Sequence, residues 1–147
     1  MSMAISVQDR MREWRAGLMD RADRWFERLP WHRGRSAGQQ GEDTAARYLT
    51  RQGYRIVQRN FRTPRGEIDL IATNGGTLIF IEVKARTDDA KGTPAAAVDE
   101  RKQARIRRAA EWYCARYRTQ DRSVRFDVVA ISGRGPSRRI ELLKDAF

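Results

Sequence analysis

A single cysteine, Cys114, and a single histidine, His32, are all this chain carries of the residues that build disulfides and soft-metal sites. One cysteine forms no internal disulfide and no thiolate cluster. Cys114 falls in an apolar helical stretch and reads as a small buried hydrophobe rather than a reactive nucleophile. His32 sits beside Pro30 and Trp31 and reads as structural or solvated. Long apolar runs are missing too: in the β-rich middle of the chain the longest is Leu78–Ile81. With neither a secretory core nor a membrane-length span to read, the cytoplasm is the expected compartment and no membrane partner is expected. Acidic side chains are outnumbered, 19 against 30 basic ones, leaving a formal net charge of +11.

That imbalance, carried mostly by arginine, predicts an anionic partner, and nucleic acid fits best because guanidinium groups suit bidentate phosphate contact. The plain alternative is a basic soluble protein or one associated with the ribosome. The 147 residues, 40% hydrophobic and 33% charged, suit one domain with a real core plus an extension. Met1–Ser36 is the extension. Met11, Trp14, Leu18, Trp25 and Leu29 recur at roughly helical spacing, Pro30 stops the pattern, and Gly34, Ser36 and Gly38 read as linker. An amphipathic helix docked on its own domain or on a partner subunit is the expectation there.

From about residue 37 to 147 the pattern is that of a compact domain. Gln39–Gln52 reads as a helix closed by Gly53, with Glu42, Ala45, Ala46 and Leu49 on one face. Tyr54–Phe61 reads as a strand and Arg62–Arg65 as a basic turn. Gly66–Thr73 and Thr77–Lys84 flank Gly75-Gly76, a two-residue hairpin signal. A polar loop over 87–93 precedes a helix opened by Pro94 and running to about Arg118. Its inward stripe is Lys102, Ile106, Ala109 or Ala110, Tyr113 and Tyr117. Val124–Ser132 is a further strand, and Arg139–Leu143 an optional last one. The order α-β-β-β-α-β predicts an α/β sandwich around a mixed sheet.

The hairpin carries the chemistry. A loop of Gly75 and Gly76 sets Asn74 opposite Thr77; Ile71 then faces Phe80, Asp69 faces Glu82 and Glu67 faces Lys84, these three pairs all on one side. Ile68, Leu70 and Ala72, with Ile79, Ile81 and Val83, then form the other, buried side. Two carboxylates facing each other repel, so a cation between them is expected. Their hard oxygens suit Mg²⁺ or Mn²⁺ better than zinc, and such an ion can activate water for attack on a phosphodiester. Lys84 can position that water or stabilise developing charge; its bland role is an ion pair with Glu67. Glu42 adds an accessory carboxylate, or is simply a first-turn acid leaning into water. Arg62, Arg65, Arg86 and Lys102 are candidate phosphate contacts that position the backbone without reading bases.

Glu42, the run Gly66-Glu67-Ile68-Asp69-Leu70-Ile71-Ala72, and the run Phe80-Ile81-Glu82-Val83-Lys84-Ala85-Arg86 together resemble the restriction-endonuclease-like, or PD-(D/E)XK, nuclease pattern. More closely, the chain is similar to the bacterial YraN/UPF0102 family, related in pattern to archaeal Holliday junction resolvases. Gly53-Tyr54, Arg59-Asn60-Phe61-Arg62, Ala97-Val98 with Lys102, Arg125–Val129 and Ala146-Phe147 extend the match over about Gly38 to Phe147. Ile68 stands where a literal motif has proline. The resemblance implies a three-layer α/β/α sandwich with an αβββαβ core, Asp69 and Glu82 as metal ligands, Lys84 as the catalytic lysine and Glu42 as the accessory acid. It implies a metal-dependent nuclease; with no helix-turn-helix or zinc-finger pattern to read bases, structure-selective recognition is expected, on DNA more than RNA. Three readings therefore stand: that nuclease, a nucleic-acid-binding protein of the same fold that no longer turns over, and an interaction protein joining an RNA-containing assembly through its N-terminal helix. Nucleases that cut two strands often pair, so analogy alone points to a homodimer.

Overall fold

In the computed structural model of the protein, residues 37–86 and 98–147 are described. The expected N-terminal helix, the linker residues Gly34 and Ser36, His32, the loop over 87–93 and Pro94 lie outside these residues; Gly38, expected as linker, instead lies in the first helix. Helix α1 spans Ala37–Arg51, followed by strands β1 (Arg55–Thr63), β2 (Gly66–Asn74) and β3 (Thr77–Arg86), helix α2 (Glu100–Tyr117), and strands β4 (Val124–Ser132) and β5 (Arg139–Leu143). The five strands form one sheet in chain order. Only β3 and β4 run parallel; the other neighbours are antiparallel. The sheet is therefore mixed, and the optional last strand is real.

Each face of the sheet is covered by one helix, giving three layers. Leu70, Ala72, Ile79, Ile81, Val129 and Ile131 pack with Ala45, Ala46 and Leu49 of α1. Ile71, Leu78, Phe80 and Val128 pack with Ile106, Ala109, Ala110 and Tyr113 of α2. Strand β3 is buried from Leu78 to Glu82 because both helices lie over it. The inward stripe of α2 is as the spacing predicted, with Ile106, Ala109, Ala110 and Tyr113 buried. Its start is not: the helix begins at Glu100, where the Asp99 carboxylate accepts the Lys102 amide at 2.8 Å. An N-cap acid ends the orphan amides there, several residues beyond Pro94.

Gly75 and Gly76 both have positive φ, 56° and 84°, so the hairpin closes through the loop type in which both central residues are left-handed. Its pairing follows the expected register from Asn74–Thr77 through Ile71–Phe80 to Leu70–Ile81. Beyond that point the sheet divides. Strand β2 continues beside β1 as far as Gly66–Thr63, while β3 continues beside β4 as far as Arg86–Ser132.

The division is matched by a reversal of faces. Leu70 belongs to the α1 side and Ile68 to the α2 side, although a regular strand puts residues two apart on one face. Ile68 therefore does not join Leu70 and Ala72 as the simple alternation predicts. On β1, Phe61 pairs with Ile68 and Arg59 with Leu70; the residue between them, Asn60, has φ 51°. That left-handed geometry is tolerable for asparagine, and it turns the strand pair over. Strand β1 also runs to Thr63, so Arg62 and Thr63 belong to the strand and the turn is narrower than expected.

Gly66 marks the tightest approach of the sheet to α2: a Cβ built there lies 2.7 Å from the Arg105 carbonyl oxygen. Backbone cannot retreat cheaply from such an overlap. Replacing Gly66 with alanine is expected to destabilise the fold by about 1–3 kcal/mol, read as a lower urea midpoint. An unchanged midpoint would show that this approach is not fixed in solution.

Candidate active site

Asp69 and Glu82 stand at the point of division. Glu82 ends the apolar run of β3 and is only 3% exposed. Its Oε1 lies 3.5 Å from Lys84 Nζ and 3.4 Å from Lys102 Nζ. Its Oε2 is buried with no hydrogen-bond donor among the described residues. Asp69 is half-buried, and its Oδ2 accepts the Val83 amide at 2.8 Å. The carboxylate thus takes the place of a strand partner where β2 and β3 part.

Burial pushes the Glu82 carboxyl up to about 7, and the neighbouring Asp69 charge adds to the rise; Lys102 and Lys84 oppose it. Asp69 is close enough to raise the Glu82 carboxyl both by its charge and as a hydrogen-bond neighbour. Glu42 approaches from α1, where its Oε2 accepts the Asn60 side-chain amide at 2.9 Å. Burial raises its carboxyl; the Asn60 hydrogen bond lowers it, Asp69 raises it and Arg59 lowers it. Glu42 therefore faces the strands rather than leaning freely into water. Next to it, Asp43 Oδ1 receives Arg59 Nη1 at 2.6 Å.

A second buried acid provides the contrast. Asp127 on β4, 0% exposed, is met by both Arg125 nitrogens at 2.8 Å, by the Asp145 amide at 3.0 Å and by the Tyr54 hydroxyl at 3.4 Å. Asp127 is satisfied by protein, whereas Glu82 Oε2 has no hydrogen-bond donor among the described residues. An orphan buried carboxylate oxygen is rare enough to need an explanation.

Several expectations change. The Glu67–Lys84 pair does not form, because the strands have separated before they reach it; Glu67 instead lies 3.6 Å from Arg62, and Lys84 turns to Glu82. Lys102 reaches the carboxylate from α2 and so belongs to the acidic cluster as well as to the basic surface. Arg62 and Arg65 are exposed at the β1–β2 turn, and Arg86 is exposed at the far end of β3. Arg62, Arg65 and Lys102 line one groove with Arg105; Arg86 is not among its walls. Sequence reading placed Asn60 in the family match but gave it no role at the site, and it gave Arg105 none; nothing local marked either.

The donor set fits a hard divalent cation. Two carboxylates face each other, one offering a free buried oxygen, and a magnesium-like ion needs only one or two carboxylates with the rest of its shell filled by water and phosphate. Among the described residues no group of three His, Cys, Asp or Glu side chains is placed to hold a metal ion.

An α/β/α sandwich whose central sheet divides around a carboxylate–lysine cluster is the class that fold and site define. The chain belongs to the family described as "Uncharacterised protein family UPF0102", whose profile matches residues 41–131. A UPF0102 protein of Rhodococcus opacus is 54% identical over 112 residues, covering 75% of this chain and 94% of its own length. UPF0102 proteins of Desulfosudis oleivorans and Syntrophotalea carbinolica are each 47% identical, over 75% and 76% of this chain and 88% and 91% of theirs.

The raised Glu82 carboxyl has a testable consequence. Its folded value, about 7, lies above the ordinary 4.5, so between those values the folded state binds more protons than the unfolded one. Stability contributed by Glu82 is then present at pH 4.5 and lost as the pH climbs through 7. With chelator present, the wild type should lose stability over that interval, and Glu82→Gln should show a flatter profile in urea melts. Identical slopes for both proteins would contradict the assignment.

Proposed function

We propose that the protein is a metal-dependent nuclease that hydrolyses phosphodiester bonds, with structured DNA as the favoured substrate. The free buried oxygen of Glu82 beside Asp69, with two ammonium groups at the same carboxylate, is the observation that supports this most strongly. Asp69 and Glu82 are the residues that hold Mg²⁺ or Mn²⁺ in this reading. Such an ion lowers the pKa of a bound water and neutralises charge accumulating on phosphate oxygens.

The chain's own groups supply the rest. Lys84, 35% exposed at its side chain, faces both the carboxylate and solvent, so its ammonium orients water and stabilises negative charge on the phosphate. Lys102 meets the same carboxylate from the opposite element and balances the buried acids while the strand binds. Glu42, held by Asn60, adds a carboxylate at the rim that accepts a proton or bridges through water. The net charge of +11 draws the polyanion to the site. Among the described residues no helix is long and apolar enough to cross a membrane.

A second reading, a binding protein that no longer turns over, draws support from the two lysines already engaged at Glu82 Oε1, which compete with a cation for that oxygen. Cleavage separates the two. Plasmid, branched, single-stranded and RNA substrates are incubated with Mg²⁺ or Mn²⁺ and, separately, with chelator. Cleavage should need the metal and fall by about 10²-fold or more in Asp69→Ala and Lys84→Ala, with nucleic-acid binding largely kept. Metal-dependent binding without any cleavage would select the silent reading; cleavage surviving both substitutions would place the reaction elsewhere.

A further inference from the structure

Beside the fork, the turn joining β1 to β2 and the first turns of α2 enclose a groove of about 470 Å³, walled by residues 62–67 on one side and by Lys102 and Arg105 on the other. We propose that this groove is a subsite for the sugar–phosphate backbone of a nucleic-acid strand, in which Arg65 and Arg105 hold phosphates next to the one presented to Asp69 and Glu82. The inference deepens the nuclease reading and rests on it.

Continuity is the first argument. Lys102 lines the groove and also lies 3.4 Å from Glu82 Oε1, so the groove opens onto the carboxylates. Charge is the second. Four cationic side chains line the groove against one acid, Glu67, and Arg62 already lies 3.6 Å from it. Arg65 and Arg105 are exposed, line the groove and pair with no other described residue, which leaves two planar guanidinium groups available at its walls. Such forks match phosphate oxygens two at a time.

Rigidity is the third. The Thr63 hydroxyl accepts the amides of Arg65 and Gly66, both at 3.1 Å, and donates to the Gly66 carbonyl at 3.0 Å. Gly66 then lies directly on the Arg105 backbone. The two arginines are carried on opposite walls of a turn locked against a helix, so little order is lost when a strand binds. Backbone contacts of this kind position a strand without reading its bases. Arg86, outside the groove, has no part in it.

Binding of a fluorescein-labelled single-stranded 12-mer is measured by anisotropy across a salt series with the full chain in chelator, so that cleavage plays no part. For Arg65→Gln with Arg105→Gln, affinity should fall roughly tenfold at low salt, and the slope of log K against log salt should drop by about 1.4. Arg138→Gln with Arg139→Gln, at the opposite edge of the sheet, should leave both unchanged. If the double groove variant fails to fold, each single variant should lower the slope by about 0.7. Replacing the phosphodiesters of the probe by neutral methylphosphonates should abolish the difference between wild type and variant. Equal slopes in wild type and groove variants, or equal losses in the edge control, would overturn the groove while leaving metal-dependent cleavage and its loss in Asp69→Ala untouched. Absence of cleavage with the groove effect intact would instead remove the enzymatic reading and leave a backbone-binding site.

Discussion

One buried carboxylate that the protein only half satisfies is the constraint on which this molecule turns. Taking an ionised acid out of water is costly unless its oxygens are met by donors or a cation. The fold meets that requirement fully at Asp127, with a bidentate arginine, a backbone amide and a tyrosine hydroxyl. At Glu82 it supplies two lysines to one oxygen and, among the described residues, no hydrogen-bond donor to the other, and it brings a second acid alongside. The cost can be met by a proton at low pH; in the metal-dependent reading proposed above, a divalent ion meets it at higher pH and competes with that proton for the same place.

The backbone makes that place. A hairpin with a two-glycine loop aligns β2 and β3 for five residue pairs; then each strand follows its other neighbour, and the gap is spanned by the Asp69 carboxylate on the Val83 amide. Asn60, in a left-handed conformation at the same level of β1, reverses which residues face which helix and lends its side chain to Glu42. The opening therefore gathers acids from α1, β2 and β3 and a lysine from α2. Strand division, face reversal and acid clustering occur at one level of the sheet. Each depends on the others.

Much of this was legible before any coordinates. Glycines at both loop positions determine a register, because a two-residue loop fixes which residues of the flanking strands stand opposite each other. The pairs from Asn74–Thr77 to Leu70–Ile81 followed. Extending the same register past the fork failed for Asp69–Glu82 and Glu67–Lys84 as strand pairs and for the face of Ile68, since alternation carries no signal of where two strands stop pairing. The order of elements and the inward stripe of α2 were readable from periodicity. The start of α2 was misplaced because Pro94 is a visible helix opener, whereas the stronger cap, Asp99, is one acid among many. Arg105 was invisible as a groove residue: its position depends on Gly66 lying against its backbone, a contact between parts of the chain far apart in sequence.

The most direct test is to titrate Mn²⁺ into the protein calorimetrically at pH 6 and at pH 8.5, in buffers of different ionisation enthalpy, for the wild type and for Asp69→Asn. One ion should bind the wild type, releasing close to one proton at pH 6 and nearly none at pH 8.5, since Glu82 with its carboxyl near 7 must give up its proton to accept the metal; the variant should bind far more weakly. Proton release that is the same at both pH values, or equal Mn²⁺ affinity in wild type and variant, would contradict a cation site at Asp69 and Glu82.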